Sequence, residues 1–217
     1  KRVCHAMEIS INEYLVSVYI WSVYTECLHG MPSKCPIRVA VPVNLRPYFN
    51  SITTKNFFVM VSAEFHPTKE TYTFAEVAEI VKESLRSQIN RENLEKLFSY
   101  NVSNEKLLIA RVVPLFLKNL AMKYVYTTSA LANTATITNI GNISVTEEYR
   151  PYVEMFHAFL AMSKGQHLKG TICSYGDTLV FSFSYDLVDA SVQRGFFRKI
   201  ASDGIAVEIK SNGVNYE

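Results

Sequence analysis

Residues 37–47 read Ile37-Arg38-Val39-Ala40-Val41-Pro42-Val43-Asn44-Leu45-Arg46-Pro47, and this stretch decides the fold. Its β-branched and small apolar residues predict a strand over 37–43, and Asn44-Leu45-Arg46-Pro47 stops it with turn-forming chemistry. Forward of it, residues 56–65 predict a second strand, nearly continuous in apolar side chains like a strand covered on both faces. Backward of it, Ser10 and Glu13 form a capping box, with Ile9 and Tyr14 at the staple positions. Ile11, Tyr14, Leu15, Val18 and Trp21 then recur at helical spacing, and Gly30 stands just past the end.

A second capping box, Thr73 with Glu76, opens a helix whose inward stripe is Phe74, Val77, Ala78, Val81, Leu85 and Ile89. Residues 91–100 predict a shorter amphipathic helix. Asn104 reads as the cap of a further one that Pro114 restarts or kinks, with Leu115, Phe116, Leu117 and Leu120 as its apolar face. Strands are expected over 135–140, 155–162, 170–174, 178–185 and 205–210, and 146–153 is a polar, helix-prone insertion. Gly176-Asp177 is a hairpin turn, and Asp189 caps a helix running to residue 200. Strands and long helices in this order argue for one α/β domain over 1–217, a two-layer mixed sheet packed by helices.

The chain has 217 residues, 48% of them hydrophobic and 12% aromatic, enough apolar content to bury a substantial core. With 22 Lys+Arg against 20 Asp+Glu, the net charge of +2 is too balanced for an electrostatic nucleic-acid binder. The apolar run 14–24 is bracketed by Glu13 and Glu26 and is too short to span a bilayer. Cys4, Cys27, Cys35 and Cys173 lack metal-ligand spacing and read as buried small hydrophobes in a reducing cytoplasm, with no metal site. The start, Lys1-Arg2-Val3, has no initiator Met and no signal peptide, as expected of a cut inside a longer polypeptide.

Catalytic motifs are sparse. The sequence has no G-x-S-x-G elbow, Walker A loop, G-x-G-x-x-G or H-E-x-x-H. His66 and His167 read as loop histidines, and His157, in Phe156-His157-Ala158-Phe159, as a packed core or channel residue. Asp177 and Asp189 read as turn and cap residues. Asp186 is a possible site carboxylate with no second catalytic group beside it in sequence.

Several segments together resemble the CoA-dependent acyltransferase superfamily, which includes chloramphenicol acetyltransferase, peptide-synthetase condensation domains and the plant BAHD enzymes. Val43-Asn44-Leu45-Arg46-Pro47 followed by Asn56-Phe57-Phe58 resembles the "(D/N)LRP … GNF" passage of its second lobe. Thr138-Asn139-Ile140-Gly141 resembles its "SNLG" segment. Phe181-Ser182-Phe183-Ser184-Tyr185-Asp186 with Gln193-Arg194-Gly195-Phe196-Phe197 resembles the last strand and helix of alcohol acetyltransferase-like proteins. The resemblance spans nearly the whole chain. It implies a chloramphenicol acetyltransferase-like C-terminal lobe, detached from an N-terminal lobe with which it would form a substrate tunnel.

The resemblance also implies site residues. The superfamily's general base is the first-lobe histidine of an HHxxxDG motif. At the matching corner this chain has Ser184 and Tyr185 where the histidines stand, with Asp189 retained. Tyr, with a pKa near 10, is a poor base at neutral pH, so no catalytic base is expected in this chain and the chain alone is expected to be inactive. Arg46 matches the arginine that braces the catalytic loop across the lobes; the alternative is a surface Arg beside a turn proline. Thr138, Asn139 and Gly141 match the segment flanking the tunnel, where a hydroxyl reaches the oxyanion in some relatives; turn formation explains Asn139 and Gly141 equally well. His157 is placed with them as a tunnel residue. No cofactor is expected to be bound, with acyl-CoA or a carrier-protein thioester as co-substrate and a homo-oligomer as a possible assembly through the lobe interface. The rival readings are a binding or assembly module of the same fold and a self-associating enzyme with sites between subunits.

Overall fold

The strand read from residues 37–43 is the second of five in the sheet of a computed structural model that describes residues 1–106, 113–163 and 165–212. It is β1 (Ile37–Asn44), paired antiparallel with β2 (Phe58–Phe65) and parallel with β3 (Ala135–Asn142). β3 runs parallel to β4 (Leu168–Tyr175), and β4 turns through Gly176-Asp177 into antiparallel β5 (Thr178–Tyr185). The order across the sheet is β2-β1-β3-β4-β5. The expected mixed sheet packed by helices is therefore present.

Side chains alternate between the two faces of a strand, so the pairing register fixes what each face carries. One face holds Val39, Val41, Val61, Ala63, Ile137 and Ile172, all buried. The central helix α2 (Ile11–Glu26) packs on this side, with α4 (Phe74–Gln88) and α7 (Ser191–Ser202) against it. α2 is apolar nearly all round, which suits a helix enclosed by a sheet and two neighbours. Phe181 and Phe183 of β5 pack on Phe196 of α7, the first ring tilted and the second edge-on, with centroids 4.4 and 5.1 Å apart. Gly170 makes this possible: a Cβ there would lie 2.6 Å from Phe181 Cζ.

Both sequence-read capping boxes form. Ser10 Oγ accepts from the Glu13 amide and Glu13 from the Ser10 amide; Thr73 and Glu76 do the same for α4. Glu13 also takes Arg86 Nε at 2.8 Å and Nη2 at 3.1 Å. Burial works against the Glu13 carboxylate, but the Arg86 and Ser10 donors outweigh it and hold it below the usual carboxylate range. At the β2 edge, Gln88 accepts from the Ser62 amide and donates to the Ser62 carbonyl, while Ser84 Oγ accepts from the Glu64 amide.

Several expectations need correction. Residues 155–162 form no strand: β3 and β5 occupy both edges of β4, so this segment lies over the polar face as a strap. Residues 205–210 form none either, although Ile205 and Val207 pack on the core. The helix over 91–100 is α5 (Arg91–Lys106), which runs on through Asn104, so Asn104 does not start a helix. Pro114 precedes α6 (Leu115–Leu131), its carbonyl accepting from the Leu117 and Lys118 amides. The apolar face of α6 is uncovered, with Leu115 71% and Tyr124 74% exposed. A short α1 (Arg2–Ala6) and a one-turn α3 (Arg46–Phe49) were not foreseen, and residues 147–152 form a 3₁₀ helix. Cys4 and Cys173 are buried as expected, but Cys27 and Cys35 are exposed, and all four are free thiols.

Candidate functional site

The second face of the sheet is polar where β3, β4 and β5 meet. Register places Thr138, Thr171 and Ser182 in one cross-strand row, and Thr136, Lys169 and Ser184 in the next. One row further on, His167 and Asp186 meet: Nδ1 lies 3.0 Å from Asp186 Oδ1, and the His167 carbonyl accepts from the Asp186 amide. The strap over 153–163 covers part of this face. Cys173 Sγ donates to the Phe156 carbonyl, and Lys169 Nζ donates to the Ala161 carbonyl at 2.8 Å and Ser163 Oγ at 2.5 Å. Burial pushes the Cys173 thiol up, away from nucleophilic use.

The sequence-read residues distribute around this face. Thr138 is half-buried in the hydroxyl row. Asn139 Oδ1 accepts from the Gly141 amide at 2.8 Å, and Gly141 has φ 87° at a register shift that leaves Ile140 unpaired. That is a bulge, and Gly is required at its positive φ. The Asn139 side chain is thus engaged in shaping the turn. His157 is exposed on the strap, stacked on Phe159 with centroids 6.5 Å apart, and is not a packed core residue.

At the strand-to-helix corner, Ser184 faces the polar side and Tyr185 packs on the core. Asp189 accepts from the Ser191 amide and hydroxyl at 2.9 and 2.7 Å, bonds that hold its carboxyl below the usual range. It is not the N-cap that the sequence suggests: Ala190 holds that place with no side-chain cap bond, and Asp189, one residue ahead, holds the first helical amide. Arg46 gives Nε to the Thr53 carbonyl, Nη2 to the Lys55 carbonyl and Nη1 to Asn44 Oδ1. A guanidinium has five N–H donors, so two stay available beyond the loop that these bonds hold.

Sequence reasoning missed the His167–Asp186 pair, because 19 residues separate them and only the β4–β5 pairing unites them. Among the described residues, no group of three or more His, Cys, Asp and Glu side chains is arranged to hold a metal, and no helix is long and apolar enough to cross a membrane. An open groove of about 590 Å³ lies elsewhere, lined by Lys1, His5, Ser10 and Arg86 among others, and touches none of the residues above.

No protein-family model and no curated protein matches the sequence. Solved structures do. The epimerization domain from the third module of tyrocidine synthetase B superposes with TM-score 0.56 at 12% identity, over 93% of this chain and 43% of that one. Polyketide synthase associated protein 5 from Mycobacterium tuberculosis gives TM-score 0.53 at 10% identity, over 92% of this chain and 46% of that one. The fold of this chain is shared with both structures. The chain spans less than half the length of these two structures. A wax ester synthase/diacylglycerol acyltransferase from Marinobacter aquaeolei also matches, at TM-score 0.49 and 14% identity, over 94% of this chain and 46% of that one.

Proposed function

We propose that this chain is the C-terminal lobe of a two-lobed acyltransferase that moves an acyl group from a thioester to a hydroxyl or amine. The donor is CoA or a carrier protein, and the proton acceptor belongs to the other lobe. The observation that carries this reading is the corner joining β5 to α7, set in an acyltransferase-type fold. Where a base would stand, Ser184 and Tyr185 are found, and Tyr185 is turned into the core. Neither accepts a proton readily at neutral pH.

In this role the chain furnishes wall and orientation. The Thr138 hydroxyl flanks the reacting carbonyl and donates to the oxyanion as it forms. The bulge at Gly141 sets the strand's course past it. Arg46 organises the loop after α3 and offers its two remaining donors to a carboxylate across the lobe boundary. The uncovered helix α6, exposing Leu115, Phe116, Leu120 and Tyr124, supplies the apolar surface on which a second lobe docks.

The test is a free-thiol release assay with acetyl-CoA, run on this chain and on its His167→Ala variant. No turnover is expected from either. Turnover that His167→Ala abolishes would place a working base inside the chain and refute the reading. Sequencing upstream of Lys1 is the companion test: an HHxxxDG-bearing segment is expected, and its absence would favour a binding module of the same fold.

A further inference from the structure

Lys169 is 8% exposed, yet among the described residues no carboxylate pairs with it. The contrast is Glu13, likewise buried, which has Arg86. The two contacts of the Lys169 ammonium, the Ala161 carbonyl and Ser163 Oγ, satisfy two of its three N–H donors and none of its charge. Burying an ammonium without a counter-charge is unfavourable. The nearest acid on this face is Asp186, one row on; its Oδ1 is held by His167 and its side chain is half-exposed.

A second, independent irregularity lies beside the first. Thr171 is 3% exposed and its Oγ1 has no hydrogen-bond partner. It stands two residues along β4 from Lys169, hence on the same face, with buried Ser182 opposite. Their Cα atoms stand roughly 6–7 Å apart along the strand, so the ammonium and the hydroxyl both belong to the layer that the strap covers. The strap closes this layer through side-chain bonds rather than strand pairing, so it can lift without breaking the sheet.

We infer that the layer between the strap and the polar face binds a small monocarboxylate, with one oxygen on the Lys169 ammonium and the other on the Thr171 hydroxyl. One negative charge matches the one positive charge of the Lys169 ammonium; a phosphate dianion would exceed it, and a neutral ligand would leave the ammonium uncompensated. The site is independent of the acyl-transfer reading, since it needs neither a second lobe nor a base.

The experiment uses the full chain and titrates acetate, acetamide, phosphate and chloride at matched ionic strength, reading thermal midpoint and the Lys169 side-chain NMR signals. Acetate is expected to shift both saturably, while acetamide and chloride do not. Lys169→Gln abolishes the response, and Thr171→Val weakens it about tenfold. Should Lys169→Gln fail to fold, Thr171→Val and the Lys169 signals of the parent chain carry the same test. An acetate response that persists in Lys169→Gln, a Lys169 signal unmoved by acetate, or tighter saturation by phosphate would each overturn the inference.

Discussion

Replacing Glu13 by Gln tests whether the entry to α2 is held by charge as well as by geometry. The carboxylate accepts three donors: the Ser10 amide at 2.6 Å and Arg86 Nε and Nη2 at 2.8 and 3.1 Å. Glutamine keeps one acceptor oxygen but turns an N–H group toward the guanidinium. Hydrogen bonds to charged groups contribute about 1.5–3 kcal/mol, and the half-exposed Arg86 side chain screens part of that. A loss of about 2 kcal/mol near pH 7 is expected, which for a chain of this size lowers Tm by roughly 4–8 °C.

The pH dependence has a definite sign. The folded-state pKa of Glu13 lies below its unfolded value. Its contribution is therefore fully present above the unfolded pKa and is lost as pH falls through the folded one. Urea unfolding of both proteins should show a gap at pH 7 that closes in acid, with the m value unchanged. A gap below about 0.5 kcal/mol at pH 7, or one that persists undiminished in acid, would refute the reasoning.

Two further perturbations follow from the packing. Gly170→Ala places a methyl 2.6 Å from Phe181 Cζ and 3.1 Å from Ile137 Cγ1; a loss of about 1–3 kcal/mol is expected by chemical denaturation, against the small gain that alanine brings to an unobstructed strand. Arg46→Lys removes the fork that grips the Thr53 and Lys55 carbonyls. Amide exchange should quicken in residues 50–57 while the sheet stays protected; unchanged protection there would show that the loop holds itself.

Local chemistry was legible in the sequence wherever it was self-contained. Ser10-x-x-Glu13 and Thr73-x-x-Glu76 announce their helices because both partners lie within one turn. The β4–β5 hairpin is equally plain from Gly176-Asp177. Competition for partners was not legible. Residues 155–162 have the composition of a strand, but a strand needs a free edge, and β4 has none. Likewise the resemblance marked Arg46, Thr138 and Ser184 one by one. Only register reveals that Thr138 shares a row with Thr171 and Ser182, and that His167 meets Asp186. The burial of Lys169 was not legible either, since burial of a charged residue depends on what lies over it.

The Gln88 amide bound to both main-chain groups of Ser62 has a consequence for association. A primary amide offers one donor and one acceptor side by side, as a peptide unit does, so it impersonates a sixth strand for one residue. Growth of the sheet by recruiting a foreign strand at β2 must first evict this impostor and Ser84 with it. The molecule is thereby blunted at one margin, and oligomers that form by ladder extension are steered to the opposite one.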